Sequence, residues 1–344
     1  MINLSYIKFM ESYVDEEKYA PIVIGTMSRY SHFKECLESL RYNTYANNTD
    51  VYIGLDYPPN EKYVHGYNKI KEYLQQNFSE FKSMNVIIRD RNYGSMKNYQ
   101  TLIDEVLLKH DRFIMADDDL IFSRNYLEYM NKCLSKYEKD DDVIAVTGYS
   151  FPILWKVKDG TTVFKSNFLF SVWGVGFWEK TYRDQTREIY SGNIKKRFQE
   201  ASFGMIIKYL KNMTMIRKYD IINAIYENKK DTLIDVPCDI SRSIHIMLNK
   251  KYIITPIISK VRNCGFDGSG EYCPKINKNK TKNIVASNYD YSTQPIDDDK
   301  TFKVNDDETF DYSYNKKLYN SFDYIKKRSV LKMYLRMFLF LLRR

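Results

Sequence analysis

Apolar positions follow two rhythms along the first half of the chain. Pro21 to Gly25 is a short continuous apolar run of strand type, and behind it Phe33, Cys36, Leu37 and Leu40 recur at the i, i+3, i+4, i+7 spacing of a helix. Ser31 stands where an N-cap is expected. Val51 to Leu55 predicts a second strand, followed by the turn Tyr57-Pro58-Pro59 and a stripe of Tyr63, Val64, Tyr67, Ile70 and Leu74. Asn85 to Arg89 predicts a third strand, and Tyr99, Leu102, Ile103, Val106 and Leu107 the next helix. Arg112 to Ala116 and Val143 to Thr147 read as strands four and five.

Strands that are apolar throughout and separated by helices imply an α/β fold, a mostly parallel sheet with helices on both faces. Such sheets bind ligands at the carboxyl ends of their strands. The positions of interest are therefore Thr26 to Arg29, Asp56, Asp90 to Ser95 and Asp117 to Asp119.

Asp117-Asp118-Asp119 directly follows the fourth strand. Carboxylates crowded at a strand end repel one another unless a cation sits among them, and oxygen ligands of this kind suit Mg2+ or Mn2+. Two further triplets have other readings: Asp140 to Asp142 precedes a strand, at the end of the sheet where no ligand is expected, and Asp297 to Asp299 reads as a solvated loop. Asn92 and Gly94 lie in a turn that delivers a helix start to the ligand edge, a geometry that favours an anion. Asp56 either accepts hydrogen bonds from a base or ribose or caps the following helix.

These segments carry a family resemblance. PIVIGTMSRYSHFKECLESL, VYIGLD, the N-x-G turn at Asn92, and FIMADDDL followed by Asn125 to Tyr129 together resemble the nucleotide-sugar half of GT-A (Rossmann-like) glycosyltransferases. The likeness is to glycosyltransferase family 2 and N-acetylglucosaminyltransferase I. Ser171 to Trp178 is similar to the W-G-W-x-x-W segment of bacterial surface-polysaccharide transferases, with Val175-Gly176-Phe177 where Trp-Ala-Thr is usual. Asn263 to Gly270 resembles their N-x-G-F-D-G-S/T-G element.

The resemblance implies a metal-dependent, inverting transfer of a sugar from a nucleotide-diphosphate sugar, a UDP-sugar being favoured, to a glycan or lipid-linked hydroxyl. O-antigen, capsule or lipooligosaccharide synthesis is the implied setting. Asp119 would hold Mn2+ or Mg2+; Asp117 and Asp118 would face the donor sugar and ribose. Thr26, Arg29, Asp56, Asn92 and Gly94 fall on the nucleotide side. The base would be Asp239, with Asp235 as the alternative, unless one of them merely caps the helix holding Arg242 and His245. His245 reads as a packed residue more readily than as a metal ligand. Trp173 either stacks on a sugar or belongs to the core. Asp267, Gly268 and Ser269 form either a loop over the donor or acceptor, or an ordinary Asp-Gly turn.

Residues 1–150 are expected to bind the donor and 151–273 the acceptor, within one catalytic domain. Residues 274–325 read as a polar surface extension, with few large aliphatics. The net charge of +9 invites a nucleic-acid partner, but seven of the cations fall in 326–344, which has no acid, and the rest of the chain is near neutral. That stretch is otherwise apolar and too short to span a bilayer. It reads as an amphipathic helix on an anionic membrane surface, or as a helix docked on the core or a second subunit. Five cysteines without a C-x-x-C pair, and no apolar leader, point to a reduced interior and a peripheral place at the inner face of the membrane. A nucleotidyltransferase with a similar metal site, and a non-catalytic carbohydrate- or membrane-binding protein, are the competing classes.

Overall fold

The apolar run after Pro21 forms β1 (Ile22–Thr26), and the stripe behind it forms α1 (Tyr30–Arg41) with Phe33, Cys36, Leu37 and Leu40 all buried. The N-cap of α1 is Arg29 and not Ser31, which lies inside the first turn. In this computed structural model residues 18–211, 213–226, 236–270, 284–285, 289–322, 324–325 and 327–342 are described.

The alternation continues with β2 (Asp50–Leu55), α2 (Val64–Tyr73), β3 (Ser83–Ile88), α3 (Ser95–Val106), β4 (Arg112–Asp117), β5 (Leu120–Phe122), α4 (Tyr126–Tyr137) and β6 (Val143–Thr147). Beyond it come β7 (Val163–Ser166), β8 (Val175–Trp178), α5 (Glu179–Tyr190), α6 (Asn193–Glu200), α7 (Phe203–Leu210), α8 (Met215–Tyr226) and α9 (Asp239–Asn249). The chain then forms β9 (Tyr252–Pro256), β10 (Val261–Asn263), β11 (Ile284–Val285), α10 (Tyr312–Phe322), β12 (Tyr324–Ile325) and α11 (Lys327–Leu342).

Eight strands form one sheet in the order β3-β2-β1-β4-β8-β6-β9-β7. Strands β3, β2, β1 and β4 are mutually parallel and β6 parallels β9, while β8 and β7 run against their neighbours. The chain order reverses at β1, which has β2 on one side and β4 on the other. The carboxyl ends of β1 and β4 therefore face the crevice where open α/β sheets take ligands. Helices cover both faces, with Phe33, Leu37, Ile70 and Leu127 on one side and Leu102, Ile103, Val106 and Tyr182 on the other. A third apolar cluster joins α5 to α11 into a helical lobe. Within this eight-stranded sheet only β3, at the edge, lacks buried positions.

The Trp segment ends in β8, Val175 to Trp178, which pairs with β4, and Trp178 is buried with its Nε1 donating to Leu134 O at 3.2 Å. The stretch after residue 289 is no solvated tail, because Tyr291, Phe302, Phe310 and Asn315 are buried. Its anchors are aromatic and amide side chains, which a search for aliphatics passes over. Within it Asp297 pairs with the buried Lys260, whose ammonium also donates to Asn125 Oδ1 at 3.1 Å. Asp140 to Asp142 sits at the amino end of β6 and pairs with Lys165, Lys180 and Lys251.

Candidate functional site

Parallel pairing sets Gly25 of β1 opposite Asp117 of β4, so the two strand ends bring Thr26, Arg29 and the acidic triplet together. Tyr99 of α3 donates to Ala116 O at 2.7 Å and to Asp117 Oδ1 at 3.3 Å. Its ring occupies the space that Gly25 leaves open, where a Cβ would lie 2.9 Å away. Thr26 Oγ1 donates to Asp118 Oδ2 at 2.8 Å. The Arg29 guanidinium forks onto two carboxylates, with one arm on Asp118 Oδ1 and the other on Asp119 Oδ2 at 2.7 Å. Arg29 is thus the counterion of the triplet, a role its sequence position did not reveal.

The turn after Asp117 leads into β5, which pairs with β10 so that Leu120 faces Asn263. This antiparallel pair delivers the glycine-rich element to the triplet across more than a hundred residues of sequence. Cys264 N donates to Asp119 O at 2.9 Å, and Asn263 Nδ2 approaches Asp119 Oδ1 at 3.5 Å. His32 of α1 reaches both Cys264 O and Asp267 Oδ2 at 3.3 Å. Asp267 Oδ1 accepts from Ser269 N at 2.8 Å, and Gly268 takes φ +94°, so this part is a hydrogen-bonded Asp-Gly turn at the rim of the site. Trp173 is half-buried, its ring edge-on to those of Tyr149, Phe266 and Tyr291. It ties the Trp segment to the glycine-rich element.

Asp239 opens α9, capped by Cys238, and its Oδ1 accepts from Val172 N at 2.8 Å. It is therefore not the helix cap, and it grips the chain just before Trp173. Asp235 lies outside the described residues. His245 belongs to a structural cluster, with Nδ1 2.6 Å from Glu188 Oε2, which fits the packed reading and not metal ligation.

Asp56 does something else. Its carboxylate accepts from Tyr57 N at 3.0 Å, Tyr93 N at 2.8 Å and Gly94 N at 2.9 Å, with Asn92 Nδ2 at 3.3 Å. The anion at this helix start is the protein's own Asp56. These groups hold the β3–α3 turn through each other, and Asp56 does not cap α2.

Charge in the site is unbalanced. Burial, then the charges of Asp119 and Asp118, push the Asp117 carboxyl up to about 8, against Arg29 and with Asp239 adding to the push. Burial also raises Asp118, against Arg29. Asp239 is raised by burial against Arg217, the Val172 amide and Arg242. Beside it, Asp220 of α8 is pushed up to about 6 by burial, Arg217 opposing and Asp239 adding. No hydrogen bond engages the Asp220 side chain among the described residues, whereas Arg217, one turn earlier, donates to Phe170 O at 3.3 Å. Asp220 and Arg217 went unnoticed in sequence; the available signal was an acid between Tyr219 and Ile221 with a base three residues before it.

An all-oxygen donor set with one guanidinium against three carboxylates suits a hard divalent cation, which would offset the crowded negative charge that raises Asp117. Among the described residues no group of three or more His, Cys, Asp and Glu side chains is arranged to hold an ion alone. Oxygens from a bound ligand would complete such a shell.

No family model and no curated protein matches the chain. Among solved structures, S. aureus TarS is 9% identical over 49% of this chain and 30% of its own, with a TM-score of 0.33. S. aureus TarS 1-349 in complex with UDP-GlcNAc is 13% identical over 50% and 48%, with a TM-score of 0.34. The mannosyltransferase PcManGT from Pyrobaculum calidifontis, in complex with GDP-Man and Mn2+, is 12% identical over 67% and 71%, at 0.34. The chain spans half or less of the length of these TarS chains. Likeness this shallow assigns no residue a role.

Proposed function

We propose that the protein is a metal-dependent, inverting glycosyltransferase that moves a sugar from a nucleotide-diphosphate sugar, a UDP-sugar in the first instance, to a hydroxyl of a glycan or lipid-linked acceptor. Bacterial surface-polysaccharide synthesis at the inner face of the membrane is the setting this implies. The observation that carries the reading is the meeting of Asp117 to Asp119 with Asn263 to Gly268 at the β1/β4 crevice. These are two of the elements that carry the family resemblance, and they meet at Asp119.

Asp119 is the proposed metal ligand, with Asp117 and Asp118 beside it. When bound, Mn2+ or Mg2+ stabilises charge on the departing diphosphate. Arg29 fixes the orientation of Asp118 and Asp119, and Thr26 fixes Asp118 from the other side. In the transfer the acceptor oxygen forms a bond to the anomeric carbon as the bond to the diphosphate breaks. The acceptor proton passes to Asp239, whose raised pKa suits a base better than an ordinary solvated aspartate. Trp173, backed by Phe266 and Tyr291, offers an aromatic face near the Asp239-held segment for the sugar or acceptor.

Calorimetry tests the donor half of this reading. UDP-sugars should bind the wild-type protein only with Mn2+ present, and Asp119→Ala should lose that metal dependence while keeping its unfolding temperature. Equal binding with and without metal would refute the assignment, and no binding of any nucleotide sugar would favour a non-catalytic module.

A further inference from the structure

The helical lobe carries α11, a helix that is apolar on two opposite sides. It packs on α8 through Met333 and Met337, each 1% exposed, and Arg336 Nη1 donates to Asn223 Oδ1 of α8 at 2.9 Å. At 3.6 residues per turn, Leu331, Leu335, Phe338, Leu339 and Leu342 fall within about 100° of arc on the side away from that seam. These five side chains are 44% to 71% exposed. Lys332 and Arg336, both exposed, border the arc along one edge, and no acid occurs from Lys327 to Leu342. A surface helix on one apolar seam normally turns polar residues outward, so a second apolar face of this size calls for a cover.

The charge selects the cover. A second copy docking on this face would set two basic α11 helices, with no acid on either, side by side, a like-charge pairing. An anionic lipid surface answers the same cations. Three further lysines neighbour one another in the same lobe, Lys218 of α8, Lys316 of α10 and Lys211 after α7, with Lys316 donating to Lys211 O at 2.8 Å. At 16 residues α11 is about 24 Å long, short of the ~30 Å hydrocarbon core. No helix of the described residues is long and apolar enough to cross a membrane.

We propose that the outward face of α11 lies in the interface of an anionic bilayer while its Met333–Met337 seam stays on α8. Leu335 and Phe338 enter the acyl boundary, and Lys332 and Arg336 meet the headgroup phosphates. The helix is then a fixed part of the lobe and not a detachable tail, and the inference stands apart from the transferase reading.

Flotation of the purified full chain with phosphatidylcholine vesicles, with and without about a third phosphatidylglycerol, tests it. The wild-type protein should float with anionic vesicles and bind neutral ones at least tenfold more weakly, with binding reduced by high salt. The Leu335→Glu/Phe338→Glu double variant should lose at least tenfold in binding at an unchanged unfolding temperature. Lys332→Glu/Arg336→Glu should lose the preference for anionic lipid. Equal flotation of wild type and Leu335→Glu/Phe338→Glu, or no flotation of the wild type, overturns the proposal. So does a wild-type dimer that the first double variant turns into a monomer, which would assign the face to a second copy.

Discussion

Gly265 lies against Asp119 so closely that a Cβ at position 265 would fall 2.0 Å from Asp119 Oδ2 and 2.7 Å from its Cγ. The glycine is required for close approach and not for backbone freedom, since its φ lies outside the left-handed region. Gly265→Ala should therefore displace the Asp119 carboxylate or the Arg29 fork. Turnover is expected to fall about a hundredfold or more, while the loss of stability stays within the ~1–3 kcal/mol typical of overpacking. Parallel activity and melting measurements check this; an alanine variant with normal turnover would show that the site tolerates the shift.

Asp220 gives a prediction in which stability and activity move in opposite directions. Its carboxyl is pushed up to about 6 in the folded protein, above the ~3.9 of an unfolded aspartate. The folded state thus binds this proton more tightly, and stability falls as pH rises from about 4 through 6. Asp220→Asn removes that loss, so the variant should be more stable than wild type by up to about 3 kcal/mol near neutral pH and indistinguishable from it below pH 4. Turnover should drop if Asp220 tunes Asp239. Urea titrations at the two pH values decide the first part, and a variant no more stable at neutral pH would contradict it.

The opposite sign holds at Glu188. Burial pushes its carboxyl up, but hydrogen bonds from His245, Asn249 and Arg197 outweigh burial and hold it down at about 2. Its contribution is present above about pH 4.5 and is lost as pH falls toward 2. Glu188→Gln should cost about 1–3 kcal/mol at pH 7 and flatten the acid limb of the stability curve. An acid limb as steep as that of wild type would argue against the cluster.

Lys260 is almost wholly buried and is answered by Asp297. Asp297→Ala leaves a buried cation without its partner and is expected to cost about 3 kcal/mol, whereas Asp298→Ala, at an exposed neighbour, should stay within about 0.5 kcal/mol. Denaturant midpoints for the two variants test whether this segment belongs to the folded body.

The donor half was legible because a parallel sheet writes its strands as apolar runs and its helices as stripes. β1, α1 and β4 follow from that pattern alone, and with them the place of Asp117 to Asp119. Long-range pairings were not legible. Nothing local to Arg29 says that its guanidinium forks onto Asp118 and Asp119, nor to Asp56 that its acceptors are spent on Tyr93 and Gly94. The β5–β10 pairing that seats Gly265 on Asp119 joins short strands that carry no periodic signal. The helical lobe was the least readable part: Asp220 matters only because α9 sets Asp239 beside it, and α11 shows its second apolar face only once the first is docked.

The central claim is that the Asp119-centred crevice transfers a sugar by releasing nucleoside diphosphate. Incubating the protein with a panel of nucleotide sugars, Mn2+ and a glycan or lipid-linked acceptor, and identifying the nucleotide product, tests it most directly. Metal-dependent release of nucleoside diphosphate with a glycosylated acceptor, abolished by Asp119→Ala, is the predicted result. Release of pyrophosphate, or diphosphate release that survives Asp119→Ala, would contradict it.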